Sequence, residues 1–226
     1  MKILFTLSLL LTVHFAQAQK TIQGTVVYQY TISGEGAEMM AAMMPEKMVV
    51  VYGDNAMMTS MEGGAMASMM GKIVVNKGKG YVIQDDKETI YNMSEEDMSN
   101  ADTPQTNEVT KLGGKKKKIM GYTCEAYRVQ TTQNGQEMTQ IVWATKALKI
   151  PEIEGAGAAN LNQGIGGAKG VDGFPMEVEI EMAAMPVKMV LSVTELKMEK
   201  PKASLFAKPQ GYQQKPFSEM MNSMRN

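Results

Sequence analysis

The sequence predicts a mainly β protein, a meander of many short antiparallel strands of the barrel, half-barrel or sandwich kind. Three observations point there. Short runs of alternating apolar and polar residues recur along most of the chain, each compatible with a strand that buries one face. Turn chemistry separates them: Gly53-Asp54-Asn55, Glu62-Gly63-Gly64, Asn76-Lys77-Gly78 and Asp85-Asp86. Asn134-Gly135 between two alternating runs is the strongest hairpin signal in the chain.

The elements follow in order. Residues 21–32 alternate, with Ile22, Val26, Tyr28, Tyr30 and Ile32 on one parity. A break at 33–36 precedes a short predicted helix over 37–44, where Met39, Met40, Met43 and Met44 make a wide apolar stripe before Pro45 stops it. Strands are predicted at 48–52, 57–61, 68–75, 80–84 and 89–93, then a polar loop over 94–105 with room for one helical turn. A second set follows at 108–112, 117–120, 122–131 and 137–145. Seven glycines within 155–173 predict a long flexible loop. Strands resume at 174–182, where Met176, Val178 and Ile180 alternate with Glu177, Glu179 and Glu181, and at 187–197. Phe217, Met220, Met221 and Met224 stand at i, i+3, i+4 and i+7 in a C-terminal amphipathic helix or tail over 215–226.

Residues 1–18 read as a cleaved signal peptide: Lys2, the apolar run 3–13, then Ala16-Gln17-Ala18. The run is too short to span a bilayer, and Gln19 stands where a lipoprotein would carry its acylated cysteine, so neither a transmembrane span nor a lipid anchor is expected. The expectation is one β domain over 19–214 in the periplasm, or secreted outright. Losing the leader removes Lys2 and the only histidine, His14, leaving 22 basic residues against 24 acidic ones. Without histidine, Ser-His-Asp and Cys-His chemistry, imidazole zinc sites and histidine acid/base catalysis are all excluded. Cys124 has no cysteine to pair with, and arginine occurs only at Arg128 and Arg225, so nucleic acid is not an expected partner. No catalytic acid or base is assigned, no cofactor is expected, and the chain reads as a non-enzyme.

Two motifs carry little. The segment 164–170 fits neither glycine-rich phosphate loop pattern and reads as a mobile loop. Lys115 to Lys118 read as a solvated turn, with contact to anionic headgroups as the sharper alternative. Methionine is different. The chain holds 24, and eleven lie between Met39 and Met70. Thioethers are adaptable and polarizable, so this density fits a plain core filling, a groove for an apolar ligand, or a soft Cu(I) site. The candidate Cu(I) ligands are Met57, Met58, Met61, Met66, Met69 and Met70.

Several stretches together resemble an exported Gram-negative family known as domain of unknown function 4412, which is similar to the LolA/LolB-like lipoprotein-carrier fold. They are AEMMAAMMPEKMVVVYGDNAMM from Ala37, KKIMGYTCEAYRV from Lys117, the strand with Trp143, and ASLFAKPQGY from Ala203. A weaker likeness is to the GLPGLI family, with Gly173-Phe174-Pro175 in place of that motif. The first resemblance implies a curved antiparallel half-barrel with short helices on its concave face, enclosing an apolar cavity. The helix over 37–44 would then be its lid, with Met39, Met40, Met43 and Met44 facing inward. Expected ligand-lining residues are these four with Tyr30, Met57, Met69 and Trp143, and expected partners are a lipid, an acyl chain, another apolar ligand or an envelope protein.

Overall fold

The computed structural model describes residues 19–99, 105–133, 136–154, 170–181 and 187–225. The leader, most of the glycine-rich loop and the Asn134-Gly135 turn lie outside these residues. Alternation in the sequence becomes one twelve-stranded sheet made of two meanders. The first runs through β2 (Gly24–Gly34), β3 (Lys47–Tyr52), β4 (Ala56–Glu62), β5 (Lys72–Asn76), β6 (Lys79–Gln84) and β7 (Thr89–Asn92), each antiparallel to the one before. The second runs through β8 (Gln105–Ile119), β9 (Tyr122–Gln133), β10 (Gln136–Thr145), β12 (Phe174–Glu181) and β13 (Val187–Lys197). The two meet where β13 pairs antiparallel with β2, from Val187 opposite Gly34 to Lys197 opposite Thr25. A last strand, β14 (Gln213–Pro216), adds parallel to β7, so β14 and β8 are the sheet's two edges. A two-stranded parallel pair, β1 (Lys20–Thr21) with β11 (Leu148–Lys149), sits apart from the main sheet.

One face of the sheet, the inner one, carries the main core. Val26 and Tyr28 of β2, Met48, Val50 and Tyr52 of β3, Met57 of β4, Met176 and Val178 of β12, and Leu191 and Val193 of β13 are buried together. The sheet curls around this face. Tyr52 and Phe174 stand on strands three neighbours apart, about 14 Å across a flat sheet, yet their rings lie edge to face with centroids 6.4 Å apart. The Tyr28 hydroxyl crosses the same concavity to donate to the Pro175 carbonyl at 3.0 Å. After β11 the chain passes over one end of the core, where Ile150 and Ile153 pack. Glu154 is then held by Asn55, whose side-chain oxygen accepts from the Glu154 amide at 2.7 Å.

Among the described residues, four short helices complete the fold: α1 (Ala37–Met43), α2 (Gly64–Met70), α3 (Glu95–Ser99) and α4 (Phe217–Arg225). On α4, Met220 with Phe217 packs on Val82 and Tyr91 of the inner face. α2 reaches the same face, since Gln84, of one parity with Val82, donates from Nε2 to the Met69 carbonyl at 2.9 Å. The opposite face of the first meander is closed by a 3-10 turn over Ala203–Phe206, whose Phe206 packs with Val51, Val74, Tyr81, Ile83 and Ile90. Asn76 and Tyr81 fix that turn by donating to the Phe206 carbonyl.

The architecture is mainly β and antiparallel, as the sequence predicts, with two local differences. Residues 68–75 are predicted as one strand, but the chain forms α2 up to Met70 and enters β5 at Lys72. Gly71, at φ 66°, makes the change of direction. The predicted strands 108–112 and 117–120 are one strand, β8, with a register shift between Leu112 and Lys116 where Gly113 and Gly114 bulge out. The lysines at 115–118 therefore lie on the sheet's edge strand, where charge discourages pairing with another chain.

Candidate functional site

The methionine-dense segment is divided by the fold. Its two helices, α1 and α2, pack against each other at the end of β2 to β5, each following a glycine with positive φ, Gly36 at 83° and Gly63 at 74°. The Met44 carbonyl lies so close to Gly64 that a Cβ there would overlap it, which is why the seam between the helices demands glycine. On this paired surface Met39 is 72 % exposed, Met43 56 %, Met69 54 % and Met66 39 %. Met40, Met44, Met61 and Met70 are half-buried beneath them.

This corrects the expectation that all four α1 methionines face inward. Met39 and Met43, one turn apart, share the outward side of the helix, while Met40 and Met44 lean toward the sheet. The stripe is wider than the contact two helical turns can make. Other expected lining residues separate as well. Met57 is buried in the main core beside Tyr28 and Tyr52. Tyr30 is half-buried, its hydroxyl 4.0 Å from the Met48 sulfur, and burial raises its pKa.

Trp143 does not line the concave face. It lies opposite Glu177 on the polar side of the sheet, donates from Nε1 to Glu179 Oε1 at 2.6 Å, and has the Lys117 ammonium 4.3 Å from its ring centroid. Lys117 pairs with Glu177, Lys188 pairs with Glu179 at 2.6 Å, and Ser192 donates to Glu177 at 3.0 Å. Burial opposes the charge on Glu179, but the hydrogen bonds from Lys188 and Trp143 and the nearby ammonium groups outweigh it and hold its carboxyl below the ordinary range. Every member of this network has a partner, so it reads as a structural clasp across β8, β10, β12 and β13.

The six candidate copper ligands do not form one set. Met57 and Met58, adjacent on β4, point to opposite faces, Met57 into the main core and Met58 toward Phe206. Met61 shares Met57's face but lies about 13 Å further along the strand. Met66, Met69 and Met70 do stay together, on α2. Among the described residues no group of three His, Cys, Asp or Glu side chains converges as a metal site. Cys124 is buried, and burial pushes its thiol up to about 11.

Elsewhere, an open cleft of about 520 Å³ lies between the β8–β9 and β10–β11 turns, lined by Lys116, Tyr122, Thr123, Glu125, Thr145 and Lys146 among others. Sequence reasoning did not find it, because its wall is two turns 20 residues or more apart in sequence. Its charges are internally matched. Glu125 pairs with Lys111 at 2.7 Å, which is the chief reason its carboxyl sits below the ordinary range, and Lys146 pairs with Asp172 at 2.5 Å.

No described helix is long and apolar enough to cross a membrane. A comparison with curated proteins finds no match. Among solved structures, the chain is similar to an uncharacterized conserved protein from Thermus thermophilus, at 12 % identity and a TM-score of 0.42, covering 83 % of this chain and 88 % of that one. It is also similar to a LolA superfamily protein from Nitrosomonas europaea, at 11 % identity and a TM-score of 0.36, covering 85 % and 94 %. A third is a putative outer membrane lipoprotein-sorting protein domain from Vibrio parahaemolyticus, at 10 % identity and a TM-score of 0.31, covering 82 % and 90 %. Residues 23–212, nearly the whole described sheet, match one family model, and the chain belongs to that family, the domain of unknown function DUF4412.

Proposed function

We propose that this chain is a non-enzymatic, exported binding protein of the cell envelope that holds an apolar ligand, such as a lipid acyl chain, against the methionine surface of α1 and α2. The observation that carries the reading is the exposure of Met39, Met43, Met66 and Met69 on two touching helices. Flexible thioethers suit apolar surfaces of varied shape. Their combined exposure equals about two whole methionine side chains, worth about 3–6 kcal/mol if fully covered. Taken alone this corresponds to a Kd of about 40 μM to 6 mM, and association costs weaken it further, so the expected affinity is about 0.1–10 mM. The interior of the concavity does not contribute, because Tyr28, Tyr52, Phe174, Met57 and Met176 fill it. A titration with dansyl-undecanoic acid tests the reading. Saturable binding that is lost in M39Q/M43Q/M66Q/M69Q, with an unchanged melting temperature, supports it. Absence of saturable binding by the unaltered protein overturns it.

A second reading, Cu(I) binding, is favoured by the i, i+3, i+4 spacing of Met66, Met69 and Met70 on α2 beside the exposed thioethers of α1. Leucine separates the two, since it keeps the apolar area and removes the sulfur. Competition against a Cu(I) chelator that is unchanged in M66L/M69L/M70L excludes copper.

A further inference from the structure

The methionine surface has a border of carboxylates. Glu35 and Glu38 lie at the start of α1, Glu46 follows that helix, and Glu62 ends β4 just before α2. The Glu46 amide donates to the Glu62 carbonyl at 2.8 Å. The Glu46 side chain lies against Gly63, where a Cβ would come within 2.6 Å of its Cγ. These contacts bring Glu46 and Glu62 to the seam between the helices. All four acids are exposed, and none makes an ion pair among the described residues. By comparison, Asp85, Glu125, Asp172, Glu177 and Glu179 each hold a lysine within 4 Å. Among the described residues the only lysine inside the border is Lys47, cross-strand from Glu62, and the next one along, Lys72, is held by Asp85 at 2.6 Å.

Exposed thioethers flanked by unpaired carboxylates constrain the ligand twice. The thioethers favour an apolar stripe, and the carboxylates repel an anionic headgroup while attracting cations at the edge of that stripe. We propose that the α1–α2 surface docks a cationic amphipathic helix of a partner polypeptide, with apolar residues at i, i+3, i+4 and i+7 on Met39, Met43, Met66 and Met69. Lysines or arginines flanking that stripe meet Glu35, Glu38, Glu46 and Glu62. The methionines give adaptability toward the apolar side chains, and the carboxylates give the sign of charge that is accepted. This rests on the reading of the methionine surface as an apolar contact and adds the class of partner.

The test uses the purified protein and a fluorescein-labelled Leu/Lys amphipathic peptide of about four helical turns. Its Leu/Glu counterpart and vesicles of phosphatidylcholine and of phosphatidylglycerol are the comparisons. The expected result is saturable binding of the Leu/Lys peptide, at least about tenfold tighter than of Leu/Glu, weakening steeply as salt rises. E35Q/E38Q/E46Q/E62Q should lose at least about tenfold for the Leu/Lys peptide while binding the anionic dansyl-undecanoic acid at least as tightly as before. Equal binding of the two peptides, an unchanged affinity in the glutamine variant, or preference for phosphatidylglycerol vesicles overturns the proposal. Binding of dansyl-undecanoic acid without binding of the peptide removes the partner class and leaves the apolar reading standing. Binding of neither removes both.

Discussion

Replacing Phe174 by alanine tests whether the concave face is full. The ring has no exposed surface, and it sits between Tyr28, 6.5 Å away between centroids, and Tyr52, 6.4 Å away and edge-on. Burying such a side chain is worth about 1.5–3 kcal/mol by transfer alone. The cavity left in a close-packed site raises the cost to about 3–5 kcal/mol. In a protein of this length each kcal/mol lowers the melting temperature by about 2–4 °C, so F174A should melt about 6–20 °C lower. Urea unfolding supplies the free energy directly. The hole would be lined by two aromatic rings and aliphatic side chains, a dry site able to take a small apolar molecule. Saturating benzene should therefore restore part of the loss in F174A and leave the unaltered protein's melting unchanged. A loss below about 1.5 kcal/mol, or equal stabilisation of both proteins by benzene, would show that space already exists beside Phe174 and refute the filled-core reasoning.

Three other outcomes follow from the structure. Dilute hydrogen peroxide should convert Met39, Met43, Met66 and Met69 to sulfoxides at least about tenfold faster than Met48, Met57 and Met176, read by peptide mass spectrometry; uniform oxidation of the folded protein would contradict the division of the methionines. Gly24→Ala should cost about 3 kcal/mol or more, because Gly24 has φ 146° and an added Cβ would overlap the Lys197 carbonyl of β13; a urea midpoint close to that of the unaltered protein would mean the β2–β13 junction is looser than described. Burial raises the Cys124 thiol from 9 to about 11, so the folded chain keeps its proton where the unfolded chain loses it. Stability from this group is complete below pH 9 and lost as pH rises toward 11; Cys124→Ala should flatten that part of the urea-midpoint profile, and identical slopes would contradict it.

Strand positions were legible wherever one parity was apolar and the other polar, as in β12, where the run of Glu177, Glu179 and Glu181 marks the wet face. Trp143 was not, because Ile141, Val142, Trp143 and Ala144 are all apolar and parity cannot choose between them. The register opposite Glu177 decides it. α2 was hidden for a similar reason: Ala65 to Met70 has no polar alternation, and the glycines on either side suit a turn as well as a short helix. The parallel pairing of β14 has no apolar signature in Gln213-Gln214-Lys215-Pro216 and depends on Phe206 anchoring the preceding turn. Met39 and Met43 face outward and not inward as the stripe suggested, since a helical stripe says which residues are neighbours and not which neighbour is covered.

The pairing of β2 with β13 also has a consequence for synthesis. It joins residues 24–34 to residues 187–197, so the two meanders have no shared ladder until nearly the whole chain has left the ribosome. Loop closure over that separation is slow, and the inner faces of both meanders stay uncovered in the meantime. The central seam therefore cannot form early, and the polypeptide remains threadable until its last strands are made.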